Sequence, residues 1–442
     1  MLNDGKTIFA LATAPGKSGV AIIRISGSDS IACIKRLTIE SIPEARKAVL
    51  RNLIHPDTKQ LIDQAIIIVF PGPNSFTGED IVELHIHGSR AVINIIIKLL
   101  SQFNNFRTAN PGEFAKRAFL NGRMDLTAAE GLGDLIEAET SIQQQQAIRQ
   151  MQGQLANIYD RWKQQLIHVL ALIEAYLDFP EDDIPEHVIQ EVYNEVTVLS
   201  KQINHHLDDQ HRGEIIRRGI YVAILGAPNV GKSSLLNYLA RRDVAIVSNI
   251  AGTTRDVIEV NLDLSGYPVT IADTAGIRES KDLIELEGIE RALNRAENAD
   301  IKIIMLAADD PNSLNEEITS IIDDNSLVLI NKIDQRHDAI TLPQAIQISV
   351  NENIGLDDFI AKLSGLIAEK FSPAADPLIT RERHRYHLNR CAEALSYFSL
   401  DKPLELACED LRLAAYALGQ IVGIIDVETI LDEIFRNFCI GK

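Results

Sequence analysis

Residues 226 to 233 read Gly226-Ala227-Pro228-Asn229-Val230-Gly231-Lys232-Ser233, a complete G-x-x-x-x-G-K-S loop. The apolar run Tyr221 to Leu225 leads into it, and a helix-forming stretch, Ser234 to Arg241, leads out. Strand, glycine-rich loop and helix in that order restrict this part of the chain to an α/β domain that holds a phosphate. Gly226 and Gly231 let backbone N–H groups wrap the phosphate, Lys232 reaches the terminal phosphates, and the Ser233 hydroxyl suits Mg²⁺. Val230 and Ser234 flank these contacts, and the helix N-terminus behind them adds partial positive charge. A second Gly-Lys-Ser, at Gly16-Lys17-Ser18, has Leu11 where the wrap needs glycine, which predicts a turn there.

Three further motifs follow. Val269-Thr270-Ile271-Ala272 leads into Asp273-Thr274-Ala275-Gly276. An acidic residue closing a strand beside a phosphate loop holds the Mg²⁺ water shell, and the glycine N–H contacts a γ-phosphate. Gly252-Thr253-Thr254-Arg255 lies between the two, where Thr254 offers a second hydroxyl for Mg²⁺. Such a loop orders only while the γ-phosphate is present. Ser326 to Ile330 predicts an apolar strand ending in Asn331-Lys332-Ile333-Asp334. The Asp334 carboxylate is acceptor-only, and guanine offers a paired N1–H and N2 amino group that adenine lacks. Four motifs in this order read as a GTP-hydrolysing G domain. Ile348-Ser349-Val350 stands where GTPases usually carry Ser-Ala-Lys, so Ser349 is a weak fifth element. Ile277 follows the third motif, and a hydrocarbon side chain cannot orient the attacking water as the Gln of Ras-like enzymes does. Another group must.

The chain has 442 residues, 46% of them apolar, which suffices for two or three cores. Its net charge of −19 repels nucleic-acid phosphates, so an RNA partner must be met on a local basic patch or through another protein. Cys33, Cys391, Cys408 and Cys439 are too scattered for a disulfide framework or zinc site, which fits a reducing cytoplasm. No apolar run is long enough to cross a membrane. His85 and His87 share a strand face without a carboxylate or Cys set around them, so no metal is expected there.

Residues 1–119 read as mixed α/β, with strands over Thr7–Thr13, Val20–Ile25, Gln64–Phe70 and Ile81–Ile86 and a helix over Ala91–Phe103. Helical patterns occupy 120–216, notably Leu126–Gln154 and Ile158–Leu177, and return over 372–442 in Arg381–Leu400, Leu404–Val422 and Val427–Phe438. The G domain, 217–371, is thus expected as an insertion into a helical domain, with Arg217-Arg218-Gly219 as its hinge. The expected fold is a multidomain α/β plus all-α chain.

Three strings are not generic to GTPases: Phe70-Pro71-Gly72-Pro73-Asn74-Ser75-Phe76-Thr77-Gly78-Glu79-Asp80, Asn110-Pro111-Gly112-Glu113-Phe114, and the C-terminal Phe438-Cys439-Ile440-Gly441-Lys442. With them and the inserted G domain, the chain resembles over its whole length the MnmE (TrmE) family of tRNA modification GTPases. The resemblance implies an N-terminal tetrahydrofolate-binding and dimerisation domain, a central helical domain and a K⁺-stimulated G domain. It implies a homodimer that joins an FAD-dependent partner protein in a heterotetramer. The reaction it implies adds a carboxymethylaminomethyl or aminomethyl group to C5 of the wobble uridine of certain tRNAs. The bridging carbon comes from a tetrahydrofolate derivative in its 5,10-methylene or 5-formyl form.

Matched residue by residue, the family's nucleotide contacts fall on Asn229 to Ser234, on Ser248, Asn249, Ile250, Ala251, Gly252, Thr253 and Thr254, and on Asp273, Thr274, Ala275 and Gly276. Asn331, Lys332, Asp334 and Ser349 complete them. Ser233 and Thr254 match the Mg²⁺ ligands. Asn229, Ser248, the Ile250 carbonyl and Thr253 match the K⁺ cradle, where the cation does the charge-neutralising work of an arginine finger. Glu285 matches an acidic residue that positions the hydrolytic water, against the alternative of a solvated helix-face glutamate like Glu279, Glu287 and Glu290. Arg24, Glu83, Arg123 and Lys442 match the folate contacts, with Arg123 replacing a more usual lysine and so bringing a planar fork in place of a point charge. Cys439 admits two readings. It is a nucleophile if its pKa is lowered, or a packing residue between Phe438 and Ile440. A K⁺-dependent GTPase switch in ribosome assembly is the alternative function, but such proteins usually append a basic RNA-binding module, and this chain is acidic.

Overall fold

The computed structural model describes residues 4–178, 186–242, 244–246, 259–273, 298–310, 313–314, 316–335, 342, 344–372, 377–423 and 441. Two six-stranded sheets organise them. The chain divides into one unit of Met1–Gly133, Gln150–Leu199 and Arg390–Lys442 and another of Asp134–Arg149 and Ser200–Asn389.

In the first unit, period-two alternation builds the sheet. Its strands are β1 (Thr7–Leu11), β2 (Ser18–Ser26), β3 (Val49–Ile54), β4 (Leu61–Phe70), β5 (Ile81–Gly88) and β6 (Phe106–Thr108). Their order is β3-β4-β5-β2-β1-β6, antiparallel throughout except for the parallel β1–β6 pair. Ile23 and Ile25 of β2, Leu84 and Ile86 of β5, and Ile67 and Val69 of β4 turn to one face. There they pack on Cys33, Ile34 and Leu37 of helix Ser30–Leu37 and on Ile93, Ile96 and Leu100 of helix Arg90–Ser101. Each such burial contributes about 1.5–3 kcal/mol. Alternation then forces Arg24 and Glu83, which are register partners, onto the opposite face. Gly16-Lys17-Ser18, expected as a turn, lies in the bend between β1 and β2 and at the first residue of β2.

The helices of this unit obey a 3.6-residue period. Helix Gln154–Asp178 buries Leu155, Tyr159, Trp162, Leu166, Val169 and Ile173 on one stripe. It lies along helix Leu404–Val422, whose Ala407, Leu411, Ala414 and Leu418 are buried with the same spacing. The helical pattern expected over Leu126–Gln154, which passes into the second unit over Asp134–Arg149, is two helices, Leu126–Glu137 and Ser141–Met151. Thr140 and Gln143 restart the helix as a capping box: the Gln143 amide oxygen accepts from the Thr140 and Glu139 N–H groups. Val427–Phe438 lies outside the described residues.

In the second unit the strands are β7 (Ile220–Leu225), β8 (Glu259–Leu264), β9 (Tyr267–Asp273), β10 (Ile301–Ala307), β11 (Ser326–Asn331) and β12 (Ile346–Gln347). Their order is β12-β11-β10-β7-β9-β8, all parallel but for the β8–β9 hairpin. Both faces are covered, which is why β7 reads as an unbroken apolar run. Val222 and Ile224 pack towards helices Lys232–Ala240 and Leu356–Lys370 through Leu235, Leu239, Phe359 and Leu363. Ala223 and Leu225 pack on the other side with Ile304 and Leu306. The chain passes from β7 to β9 on one side and to β10 on the other, so the crevice of this switch point opens at the carboxyl end of β7.

The Arg217-Arg218-Gly219 junction, expected as a hinge, is ion-paired on both sides. Arg217 reaches Asp134 at 2.8 Å, which also receives Arg381 at 2.7 Å. Arg218 reaches Asp300 at 2.7 Å, and Asp300 also accepts from the Tyr221 N–H. Among the described residues, no helix is long and apolar enough to cross a membrane.

Candidate active site

The phosphate loop leaves β7 at Gly226, whose φ of 148° and neighbours both demand glycine. A Cβ there would lie 2.3 Å from the Met305 carbonyl oxygen of β10. At Gly231, φ is 105° and a Cβ would lie 2.3 Å from the Asn331 amide nitrogen. Asn229 also takes left-handed backbone, φ 61°, which asparagine tolerates better than most residues, and its side chain is exposed. Helix Lys232–Ala240 opens with no side-chain cap, so its first N–H groups face the loop mouth. Ser233 and Ser234 are exposed on that first turn. Lys232 is buried, and its ammonium donates to the carbonyls of Gly226 at 2.8 Å and Ala227 at 2.9 Å.

The base-side residues converge on the same loop. Asn331 ends β11 fully enclosed. Its amide donates to the Val230 carbonyl at 2.8 Å, and its side-chain oxygen accepts from the Val350 N–H at 3.1 Å. Lys332, in left-handed backbone at φ 63°, pairs with Asp309 at 3.0 Å. Asp334 sits in the single turn Ile333–Gln335 and accepts from the Ser349 hydroxyl at 2.5 Å. Ser349 is completely buried, and its Oγ also accepts from the Glu352 N–H. The weak fifth element therefore ties down both base-side residues, Asp334 through a hydroxyl and Asn331 through a backbone amide. An amide needs no particular side chain, so Val350 can stand where lysine is usual.

Asp273 closes β9 opposite Ile224 of β7. Ser248, Asn249, Ile250, Ala251, Gly252, Thr253, Thr254, Thr274, Ala275, Gly276 and Glu285 lie outside the described residues, as do Cys439 and Lys442. Asp309, the Met305 carbonyl and the Val350 amide were not among the residues expected from sequence. A parallel strand beside β7 had to contribute something at the loop, but only the β10 register says which residues.

The second cluster lies on the other face of the N-terminal sheet, where Ile8 and Ala10 pack under Phe114 and Phe76. Glu83 accepts from Arg24 at 2.9–3.0 Å and lies 3.3 Å from the His85 Nε2. The Arg24 guanidinium lies 5.6 Å from the Phe76 ring centre and 5.8 Å from that of Phe114, and donates to the Gly441 carbonyl at 3.4 Å. Gly441 itself presses on β1: a Cβ there would lie 2.2 Å from the Leu11 carbonyl. Two residues on from Arg24, Ser26 bonds Thr77 and Glu79, each at 2.7 Å. Asn121 donates to the Thr77 carbonyl, and the Arg123 stem passes Gly78. Arg24, Glu83, Arg123 and the C-terminal segment are thus linked through the 76–79 loop. Beneath it, Glu79 pairs with the buried Arg117, which reaches Glu113, which in turn holds Arg107 and through it Asp4.

A family model described as "GTP-binding protein TrmE N-terminus" matches residues 7–123, and one described as "MnmE helical domain" matches 126–439. The "tRNA modification GTPase MnmE" of Rickettsia akari (strain Hartford) is 48% identical over 99% of this chain and 100% of its own length. The protein of the same name from Rickettsia rickettsii (strain Sheila Smith) matches to the same extent. A solved structure of Aquifex aeolicus Era bound to GDP.AlF4- is 28% identical, covering 39% of this chain and 66% of that chain at a TM-score of 0.27.

Proposed function

The chain belongs to the MnmE (TrmE) family of tRNA modification GTPases, and from that premise we propose how its two sites divide one reaction. It is a GTPase that acts in tRNA modification. In our reading it works in the cytoplasm as a homodimer with an FAD-dependent partner, in a heterotetramer. It adds a carboxymethylaminomethyl or aminomethyl group to C5 of a wobble uridine. The domains follow as 1–119 for folate binding and dimerisation, 120–216 and 372–442 for the helical domain, and 217–371 for the inserted G domain.

At the nucleotide site, the N–H groups of Gly231, Lys232 and Ser233 bind phosphate, and Lys232 exchanges the Gly226 and Ala227 carbonyls for phosphate oxygens. Asp334, oriented by Ser349, accepts from guanine N1–H and N2. Asn331 fixes the phosphate loop against the base-binding loop. The exposed Ser233 hydroxyl, with Thr254, suits Mg²⁺. The exposed Asn229 amide, with Ser248, the Ile250 carbonyl and Thr253, is an oxygen set suited to K⁺. These cations would neutralise developing phosphate charge. Glu285 holds the attacking water that Ile277 cannot.

At the N-terminal site, Glu83 offers an acceptor edge for an amino-pyrimidine, Arg24 and Arg123 offer donors for acidic groups, and Phe76 and Phe114 supply an apolar wall. This donor set fits a tetrahydrofolate derivative, which when bound supplies a one-carbon unit. Lys442 would add a further cation, and Cys439 a thiol. The observation that carries the reading is Arg24 holding both Glu83 and the Gly441 carbonyl, which brings the C-terminal motif to the candidate folate face.

Mass spectrometry of wobble uridines from cells lacking the gene tests the assignment. Loss of the C5-substituted nucleosides is expected, and unchanged nucleosides would overturn it. Glu285→Ala should retain GTP affinity and lose about 100-fold or more in turnover; undiminished hydrolysis would remove that residue from the mechanism.

A further inference from the structure

The acidity of this chain is not uniform. Residues 1–123 carry 15 Lys and Arg against 10 Asp and Glu, whereas the whole chain carries 43 against 62. Three of these cations line one feature of the first unit. A groove of about 430 Å³ opens between the end of helix Ser30–Leu37 and the β3–β4 turn, lined by Lys35, Arg36, Thr38, Ser41 and Lys59 and by three isoleucines. Glu40, its one acidic residue, is already neutralised: Arg51 holds it at 3.0 Å and the Asn52 N–H points at its other oxygen. Lys35 and Lys59 are exposed and make no ion pair to any described residue. Arg36 is braced with its guanidinium 3.7 Å from the Phe103 ring centre. Lys59 stands on a turn closed by bonds from its own N–H to the His55 carbonyl and from the His55 N–H to the Gln60 carbonyl. The three cations are therefore presented by fixed backbone, unlike lysines on a mobile loop.

We propose that this groove receives the phosphodiester backbone of the RNA substrate. The inference rests on the tRNA reading above and adds where the RNA is held. Cations and hydroxyls around an open groove are the donor types that grip phosphate without reading bases. In a chain of net charge −19 a polyanion can approach only where the local field is reversed. Lys35 and Lys59 position the RNA and take no part in GTP hydrolysis.

The test is fluorescence anisotropy of an unmodified tRNA transcript with the full-length protein across a KCl series. Lys35→Ala/Lys59→Ala should weaken binding about tenfold near 50 mM salt and reduce the slope of log K against log salt by about 1.5–2. Its basal GTPase rate should not change, and Lys35→Arg/Lys59→Arg should restore binding. Lys201→Ala/Lys362→Ala removes the same charge elsewhere and should leave the slope alone. Wild-type affinity and slope in the groove variant, or an equal loss in the control, would overturn the groove. Failure of the wild-type protein to bind the transcript would instead overturn the RNA reading, and the groove with it.

Discussion

The nucleotide site and the Arg24–Glu83 site sit on sheets of equal strand number but opposite construction. The first lies at the carboxyl ends of parallel strands, and its phosphate side rests on one short loop, with the Lys232 and Asn331 side chains braced on that loop's own carbonyls. The second lies on one face of a largely antiparallel sheet, and side chains carry it, drawn from β2, β5 and the 76–79 loop, with the Gly441 carbonyl beside them. A loop that wraps a phosphate with its N–H groups must be contiguous in sequence. A side-chain site can be assembled from anywhere the fold brings together.

Separating the two sites by mutation tests this division. The largest effect is expected from Lys232→Ala, which removes the only cation donating into the loop carbonyls among the described residues. GTP hydrolysis, followed by phosphate release, should fall by about 10³-fold. Retention of labelled 5-formyl-tetrahydrofolate in equilibrium dialysis should stay at the wild-type level. Loss of both would mean that the sites are one unit. Next is Asp334→Asn, which turns one acceptor oxygen into a donor opposite guanine. The KM for GTP should rise by about 100-fold while xanthosine triphosphate becomes a substrate; normal GTP turnover would refute the assignment of the base.

The same division explains what could be read from sequence. The phosphate loop, Asp273 and the Asn331–Asp334 tetrad were legible because their spacing is set by the ligand. Ser349 was legible only weakly, since its partner Val350 acts through an amide that any residue but proline supplies. Asp309 was not legible at all. It meets Lys332 because β10 and β11 are register neighbours, which no local pattern encodes. On the other sheet, alternation predicted strands but not that Arg24 and Glu83 would pair across β2 and β5, nor that Gly441 would return beside Leu11. The family resemblance gave Arg24 and Glu83 as folate contacts, but neither their pairing nor the place of Gly441. The break at Thr140 was written in the sequence as Thr-x-x-Gln, but the surrounding helical period obscured it.

A smaller effect should follow Arg24→Ala. It leaves Glu83 without its guanidinium partner and frees the Gly441 carbonyl. Folate affinity should fall by about 30-fold, the loss typical of breaking a hydrogen-bonded charge pair, with GTP hydrolysis by the isolated protein unchanged. A drop in hydrolysis would join the two sites again, this time from the other side.

The smallest effect concerns what holds the side-chain site in place. Hydrogen bonds from Arg107 hold the Asp4 carboxyl at about 2, against an ordinary 3.8. Burial pushes Glu113 up, but bonds from Arg107 and the Asn110 N–H outweigh it and leave its pKa lowered. Both groups are easier to deprotonate folded than unfolded, so their stabilisation is complete above the unfolded values and drains away as pH falls towards about 2. In the nucleotide unit Asp300 is shifted the other way, raised by burial despite its bonds to Tyr221 and Arg218. Arg107→Met should therefore lower the thermal midpoint by about 3 °C near neutral pH, and the deficit should shrink below about pH 4. Hydrogen exchange should place the lost protection in β1, β6 and helix Glu113–Leu120 and leave β7 and β10 unaltered. A deficit that persists at low pH would show that Arg107 acts through packing, and one spread over both sheets would show that the N-terminal network supports the nucleotide unit as well.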